Sequence, residues 1–394
     1  MTQTLRLATR GSDLAVRQAT AVEDALASRR REVEIRTVET RGDRIPDALI
    51  HELGRTGAFV RSLDEEVLSG EADLAVHSLK DVPTEGMDDL VVAGVPRRAP
   101  AGDVLVTADG SDLSDLDPGS VVGTASLRRT AQIRAARPDL EVEAIRGNVD
   151  TRLEKLLAPT LQREHEARMD ARAEETAATA ESGGGGDGGE EHAFDRTIEE
   201  WFDSLSDLER AAMEREVDRE YDALVLAEAG LRRSNLLHSV PTVRLDREEF
   251  VPAAGQGAIA VVASDPDVIE TVREAVDHPR TRVETTAERT ILAELGGGCI
   301  APIGINAIVQ GSYVRTNVRV LSPDGTEEIA ETRDLDVERY TKDAVAFAQD
   351  LAEQGAAELI ERAREAAESD GDEGSVRENR EDEPGRADPE SEER

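Results

Sequence analysis

The chain has 394 residues, 38% of them apolar and 34% charged, with aromatics at only 2% and a formal charge of −38. That length allows two or three domains of roughly 100–200 residues each, whose cores must rest on Val, Leu, Ile and Ala rather than on aromatic rings. The charge argues against a nucleic-acid partner, since phosphate recognition needs a concentrated basic face, and the lack of any run near ~20 apolar residues or of a signal h-region points to the cytoplasm.

In chain order, Leu5-Arg-Leu-Ala-Thr reads as a short buried strand, and from Asp13 the apolar positions Leu14, Ala15, Ala19, Val22 and Leu26 keep helical spacing. A strand at 33–38, a helix carrying Phe59, Leu63 and Val67, and a strand at 73–77 continue the alternation that defines α/β layers around a largely parallel sheet. Val95-Pro-Arg-Arg-Ala-Pro-Ala-Gly102 reads as a crossover, after which strands at 103–107, 121–123, 141–145 and 222–227 build a second α/β domain. A Pro/Gly-punctuated connection from Pro241 to Gly257 leads into the apolar run 258–263, which is expected to return to the first sheet. A helix at 289–295, strands at 303–309, 314–321 and 328–333, and one long helix over 337–366 then make a small α+β domain. The expected division is 1–96 with 242–268, then 97–241, then 269–367, with a disordered acidic tail at 368–394.

Residues 158–219 surround Ser182-Gly-Gly-Gly-Gly-Asp-Gly-Gly and are rich in Ala, Glu and Arg. This composition is expected to form a flexible surface insertion, with one short amphipathic helix around Trp201, Phe202, Leu205 and Leu208. The acidity is not confined to such segments. Residues 160–219 hold 18 acids against 7 Arg, and 368–394 hold 12 against 4, which leaves half of the net charge on the other 307 residues. Lysine occurs only at Lys80, Lys155 and Lys342, against 44 Arg. An acidic, lysine-poor body points to a hypersaline cytosol, where a Debye length of about 3 Å at 1 M salt screens self-repulsion.

A single Cys excludes an internal disulfide, and no His/Cys spacing suits zinc, so no metal is expected. Cys299 sits in Glu294-Leu-Gly-Gly-Gly-Cys-Ile-Ala-Pro-Ile-Gly304, just past a helix. Such a motif suits either an exposed nucleophilic thiolate or an inert Cys behind a helix cap. Arginines recur at strand-to-helix turns: Arg10 in Ala8-Thr-Arg-Gly-Ser12, Arg128 and Arg129 after Gly123-Thr-Ala-Ser-Leu, Arg146 and Arg152 around Gly147-Asn-Val-Asp-Thr, and Arg233 in Gly230-Leu-Arg-Arg. Helix N-termini and guanidinium forks both receive anions, so four such turns suit a ligand with many carboxylates. Surface pairing with the abundant acids is the alternative for any one of them. His77-Ser-Leu-Lys-Asp81-Val-Pro adds a hydroxyl, an ammonium and a carboxylate directly after a strand. Lys80 could neutralise substrate acid groups, and Asp81 could hold N–H-bearing or cationic intermediates.

In this order the motifs resemble the porphobilinogen deaminase family, from Ala8-Thr-Arg-Gly-Ser through Thr40-Arg-Gly-Asp, His77-Ser-Leu-Lys-Asp-Val-Pro, Val122-Gly-Thr-Ala-Ser-Leu-Arg-Arg, Arg146-Gly-Asn-Val, Ala229-Gly-Leu-Arg-Arg and Gly255-Gln-Gly-Ala to Gly297-Gly-Cys. The resemblance runs from Leu5 to about residue 365, apart from the insertion. It implies three domains, two of them like type II periplasmic binding proteins with the active cleft between them. It implies a dipyrromethane cofactor, made from the substrate, joined by a thioether to Cys299, on which four porphobilinogen units are condensed into hydroxymethylbilane with loss of ammonia.

By that resemblance Asp81 is the catalytic carboxylate. Lys80, Ser78, Thr124, Ser126, Arg128, Arg129, Arg146 and Gly147 would hold the cofactor, and Arg10, Ser12, Arg152, Arg233, Phe59 and Arg55 the substrate. Where many relatives read Gly-Gly-Lys-Gly-Leu-Phe this chain reads Gly54-Arg-Thr-Gly-Ala-Phe59, so Thr56 stands at the usual lysine and Arg55 beside it. The implied protein is a cytoplasmic monomer acting on a small molecule in tetrapyrrole and heme biosynthesis. The rival classes are a non-catalytic solute-binding protein of similar build, which would leave Cys299 idle, and a scaffold working through its acidic segments.

Overall fold

The computed structural model describes residues 3–38, 58–84, 89–181, 194–296, 298 and 301–366. In the first unit β1 (Gln3–Arg10), β2 (Arg31–Val38) and β3 (Leu74–Ser78) are parallel neighbours, with β1 in the middle. Helix α1 (Asp13–Leu26) starts where the Ser12 side chain accepts a hydrogen bond from Ala15 N, and it buries Ala19, Val22 and Leu26 against the sheet. Helix α2 (Ala58–Leu68) lays Leu63 and Val67 on the opposite face beside Ala8 and Ala75. The strand β4 (Val91–Gly94), which the sequence reading missed, forms an edge of the same sheet.

The second unit repeats the plan. Its strands are β5 (Asp103–Thr107), β6 (Val121–Thr124), β7 (Glu141–Ala144), β8 (Ala223–Ala227) and β9 (Thr242–Arg244). The chain then returns as β10 (Ile259–Ala263), between β3 and β4 and antiparallel to both. The two sheet orders are β2-β1-β3-β10-β4 and β7-β6-β8-β5-β9. They are the same topology. Each sheet is completed by one antiparallel strand, β10 or β5, that has just crossed from the other unit. This is the type II periplasmic-binding-protein arrangement that the resemblance implied. Residues 242–244 are a correction: assigned from sequence to the first domain, they hydrogen-bond to β5 in the second. Three residues are too short a run for their alternation to be read as a strand.

The return strand leads into α8 (Pro266–Val276) and α9 (Pro279–Glu294), each opening with a proline in its first turn. Beyond α9, β11 (Ile303–Gln310), β12 (Tyr313–Leu321) and β13 (Glu328–Asp336) form an antiparallel meander covered by α9 and α10 (Tyr340–Glu353). Their shared core includes Ile291, Ile305, Val318, Phe347 and Leu351. The long helix expected over 337–366 is interrupted after Glu353, where Gly355 takes φ +107, a conformation that glycine alone adopts without strain.

The insertion also departs from expectation. Instead of flexible chain, a 33-residue helix α4 (Val149–Glu181) runs out of the second unit, followed by α5 (Ile198–Ser204) and α6 (Asp207–Met213). The expected amphipathic helix is thus two helices, each opened by a capping box, at Thr197/Glu200 and Ser206/Glu209. Leu161, Trp201, Leu205 and Ala212 bury one another, and the Arg168 guanidinium lies 4.3 Å from the Phe194 ring centre and 5.2 Å from that of Trp201. Composition averaged over the segment hid this small core. The glycine run 182–189 and the tail beyond residue 366 lie outside the described residues.

Because the acidic charge is spread over the folded units, salt should stabilise them. We expect the melting temperature to rise by roughly 10 °C between about 0.2 M and about 3 M KCl. Differential scanning calorimetry across a salt series checks this, and a melt indifferent to salt would remove the halophilic reading.

Candidate active site

Parallel strands end in loops that can face a ligand, and in open α/β sheets the crevice beyond their carboxyl ends is where ligands bind. The predicted residues of described position sit at such ends: Arg10 and Ser12 after β1, Ser78, Lys80 and Asp81 at and after β3, Thr124, Ser126, Arg128 and Arg129 at and after β6, Arg146 and Gly147 after β7, and Arg233 after β8. Arg152 lies in the first turn of α4 and donates from Nε to the Gly147 carbonyl at 2.8 Å. Cys299 and Arg55 lie outside the described residues. Phe59 is in α2, and its side chain is likewise not described.

Helix α3 (Leu127–Ala136) starts at Ser126, whose side chain accepts from Arg129 N, so this hydroxyl caps the helix. Arg128 and Arg129 are therefore in its first turn, and both turn inward. Their Nη2 atoms donate to opposite oxygens of Asp103, at 2.8 Å each, and the Asp103 side chain is wholly buried. Burial alone would push the Asp103 carboxyl up. The two guanidiniums overcome it and hold the pKa down, at about 2. Arg128 also donates to the Val251 carbonyl in the second crossover, and Gln256 Nε2 donates to Asp103 Oδ1 at 2.8 Å. Two cations against one anion leave this buried knot with a surplus positive charge.

Arg152 adds to it. Burial and the repulsion of Arg129 push its pKa down to about 10, and it has no acidic partner among the described residues. The Thr124 hydroxyl and the Arg129 Nε are buried without a hydrogen-bond partner. Buried donors without acceptors are costly, and a surplus of cations favours an anionic ligand. This chemistry fits the carboxylate arms of a dipyrromethane, which Thr124, Arg129 and Arg152 would hold. No group of three or more His, Cys, Asp or Glu side chains among the described residues could hold a metal ion.

Lys80 and Asp81 occupy a single 3-10 turn, Leu79–Asp81, with Lys80 Nζ 3.6 Å from Asp81 Oδ1 and both side chains about half exposed. The turn rests on the second crossover. Leu79 N donates to the Ala258 carbonyl, and Gly255, at φ +74, packs closely on the turn, where a Cβ would crowd Lys80 N at 3.3 Å and strain the backbone. Gly255 and Gln256 therefore connect the acid turn to the arginine knot through one short strand of chain. Arg233, at the end of the short helix Glu228–Arg233, touches the same crossover elsewhere. It donates to the Gly257 carbonyl and lines a cavity of about 300 Å³ with Val22, Pro96, Arg97 and Ile259, where burial pushes its pKa down to about 10.

Sequence reasoning gave no role to Asp103, Gln256, Glu288 or Arg289. One signal was available for Asp103, a carboxylate opening the apolar run Asp103-Val-Leu-Val, since a charge in a buried strand requires a partner.

Two α/β units of the same topology, with arginines gathered after the carboxyl ends of their strands, have the architecture and charge that suit a ligand bearing carboxylates. A family model described as "Porphobilinogen deaminase, dipyromethane cofactor binding domain" matches residues 5–172 and 208–270, and one described as "Porphobilinogen deaminase, C-terminal domain" matches 283–356. The chain is 56% identical to a "Probable porphobilinogen deaminase" of Halobacterium salinarum over 93% of its own length and 99% of the relative's. It is 35% identical to one of Methanococcoides burtonii, over 91% and 96%, and 31% identical to a "Porphobilinogen deaminase" of Campylobacter hominis, over 92% and 99%. The chain belongs to the porphobilinogen deaminase family. The first of the two family models passes over residues 173–207, so the part of the insertion foreign to the family is narrower than the 158–219 read from composition.

Proposed function

We propose that this chain is a hydroxymethylbilane synthase, a transferase that joins four porphobilinogen units head to tail with release of ammonia, on a dipyrromethane primer held through Cys299. The observation that carries this reading is the surplus of buried cation, with Arg128 and Arg129 sharing the single carboxylate of Asp103 and Arg152 adding a further charge near Arg129. Each pyrrole ring brings an acetate and a propionate, so a growing chain needs repeated guanidinium sites. When bound, the dipyrromethane supplies the free pyrrole α-carbon at which the first new carbon–carbon bond is made.

The chain's own residues do the rest. Asp81 accepts hydrogen bonds from pyrrole N–H groups and stabilises the positive charge that develops on the substrate ring as the amine of its aminomethyl arm leaves as ammonia and the methylene carbon stays behind for the new bond. It also receives the proton released when the new bond forms. Lys80, with its Nζ 3.6 Å from Asp81 Oδ1, holds a carboxylate arm of the cofactor next to the catalytic acid. Arg10, Ser12, Arg146 and Arg233 orient the remaining acid arms, and Arg128 and Asp103 keep Arg129 in place from below. The enzyme acts in the cytoplasm as a monomer, on free porphobilinogen and without nucleic acid.

Incubating purified protein with porphobilinogen should release one ammonia per unit consumed and yield a product that closes in acid to a uroporphyrinogen, which an added oxidant such as iodine converts to coloured uroporphyrin. Binding of porphobilinogen without ammonia release would leave a solute-binding protein instead.

A further inference from the structure

We infer that Arg289 is a positioning residue that fixes Asp81 relative to the C-terminal unit. This rests on the catalytic reading of Asp81. The Arg289 Nη1 donates to the carbonyls of Leu79 at 3.2 Å and Val82 at 2.7 Å, and its Nη2 donates to that of Pro83 at 2.7 Å. These three acceptors flank Asp81 on both sides. Since the Asp81 side chain is half exposed and its one ion pair among the described residues is with Lys80, its place depends on the backbone of the turn, and the backbone is what Arg289 grips.

The arm that reaches over is itself firmly rooted. Arg289 is on α9, and the preceding residue, Glu288, is fully buried. Glu288 accepts from Arg98 at 2.7 and 3.0 Å, from Gly255 N at 2.7 Å and from Ala307 N at 2.8 Å. One helix turn thus ties together both crossovers, the C-terminal sheet and the acid turn. The same helix ends at Glu294, five residues before Cys299 in sequence. Arg289 has no acidic partner among the described residues, and burial lowers its pKa. Its donors serve carbonyl oxygens, an arrangement that a planar fork makes and an ammonium only partly reproduces.

Because the carboxylate must meet a developing charge within a fraction of an ångström, loosening the turn should act on kcat rather than on binding. In cofactor-loaded protein, checked by intact mass, Arg289→Met should lower kcat by roughly 10- to 100-fold with KM changed less than about 3-fold. Arg289→Lys should recover part of the loss. Amide hydrogen exchange at Lys80, Asp81 and Val82 should accelerate in Arg289→Met, and in the Asp81→Asn background the same change should cost at most about 2-fold, because both act on one group. If Arg289→Met does not accumulate, exchange and kcat in Arg289→Lys decide the matter. Unchanged kcat and exchange beside an inactive Asp81→Asn would overturn the role of Arg289, as would fully additive losses. Normal turnover by Asp81→Asn would instead remove the role of Asp81, and this inference with it.

Discussion

Asp81→Asn is expected to fold, to carry the dipyrromethane and to lose about 10²- to 10³-fold in kcat, the range seen when one charge-stabilising group is removed from a preorganised site. The substitution is nearly isosteric and the residue is half exposed, so the Leu79–Asp81 turn keeps its bonds to Ala258 and Arg289. What disappears is the negative charge. An amide can still meet a pyrrole N–H, but it cannot neutralise a cationic ring or take up a proton at neutral pH. The measurement is single-turnover ammonia release at saturating porphobilinogen, with loading verified beforehand. Near-normal turnover would count decisively against the assignment.

The second large effect concerns the anchor. Wild-type protein should carry a covalent adduct of two porphobilinogen units, each less one ammonia, and Cys299→Ser should lack it and show no turnover. A thiol with an ordinary pKa near 8.5 supplies some thiolate at neutral pH, whereas a serine hydroxyl without an adjacent base supplies essentially no alkoxide. Three glycines precede Cys299 in the sequence, so little side-chain bulk hinders approach to it. Intact-mass spectrometry of both proteins gives the answer directly. A fully active wild type with a bare thiol would refute covalent anchoring.

Much of the fold could be read from the sequence, because strands buried on both faces are short apolar runs bounded by turn residues. The runs at 103–107 and 222–227 needed no tertiary information to be recognised as strands. Elements with weak local signals were missed: β4 and β9 are edge strands of four and three residues. The insertion failed in the opposite direction. Its Ala/Glu/Arg composition is poor in core residues on average, yet Leu161 and the sequence-remote pair Trp201 and Leu205 gather into a sufficient cluster.

For the site, the turn arginines were visible because Gly, Ser and Thr recur beside them at the ends of strands. Their division of labour was not visible. Arg128 and Arg129 are adjacent and chemically identical, and only the packing of α3 ties Arg128 to the Val251 carbonyl in the crossover and Arg129 to the Val225 carbonyl in β8, with Arg129 the one near Arg152.

By itself, then, the amino-acid order determined the α/β layering, the acidic Arg-for-Lys surface, the motifs of the family and the chemistry available at Asp81 and Cys299, since each depends on local spacing or on residue type. Tertiary structure alone decided which strand completes which sheet, which cation is neutralised by Asp103, and that Arg289 reaches the Asp81 turn from more than 200 positions away. Those outcomes arise from burial and hydrogen bonding between segments remote in sequence, and no local pattern encodes them.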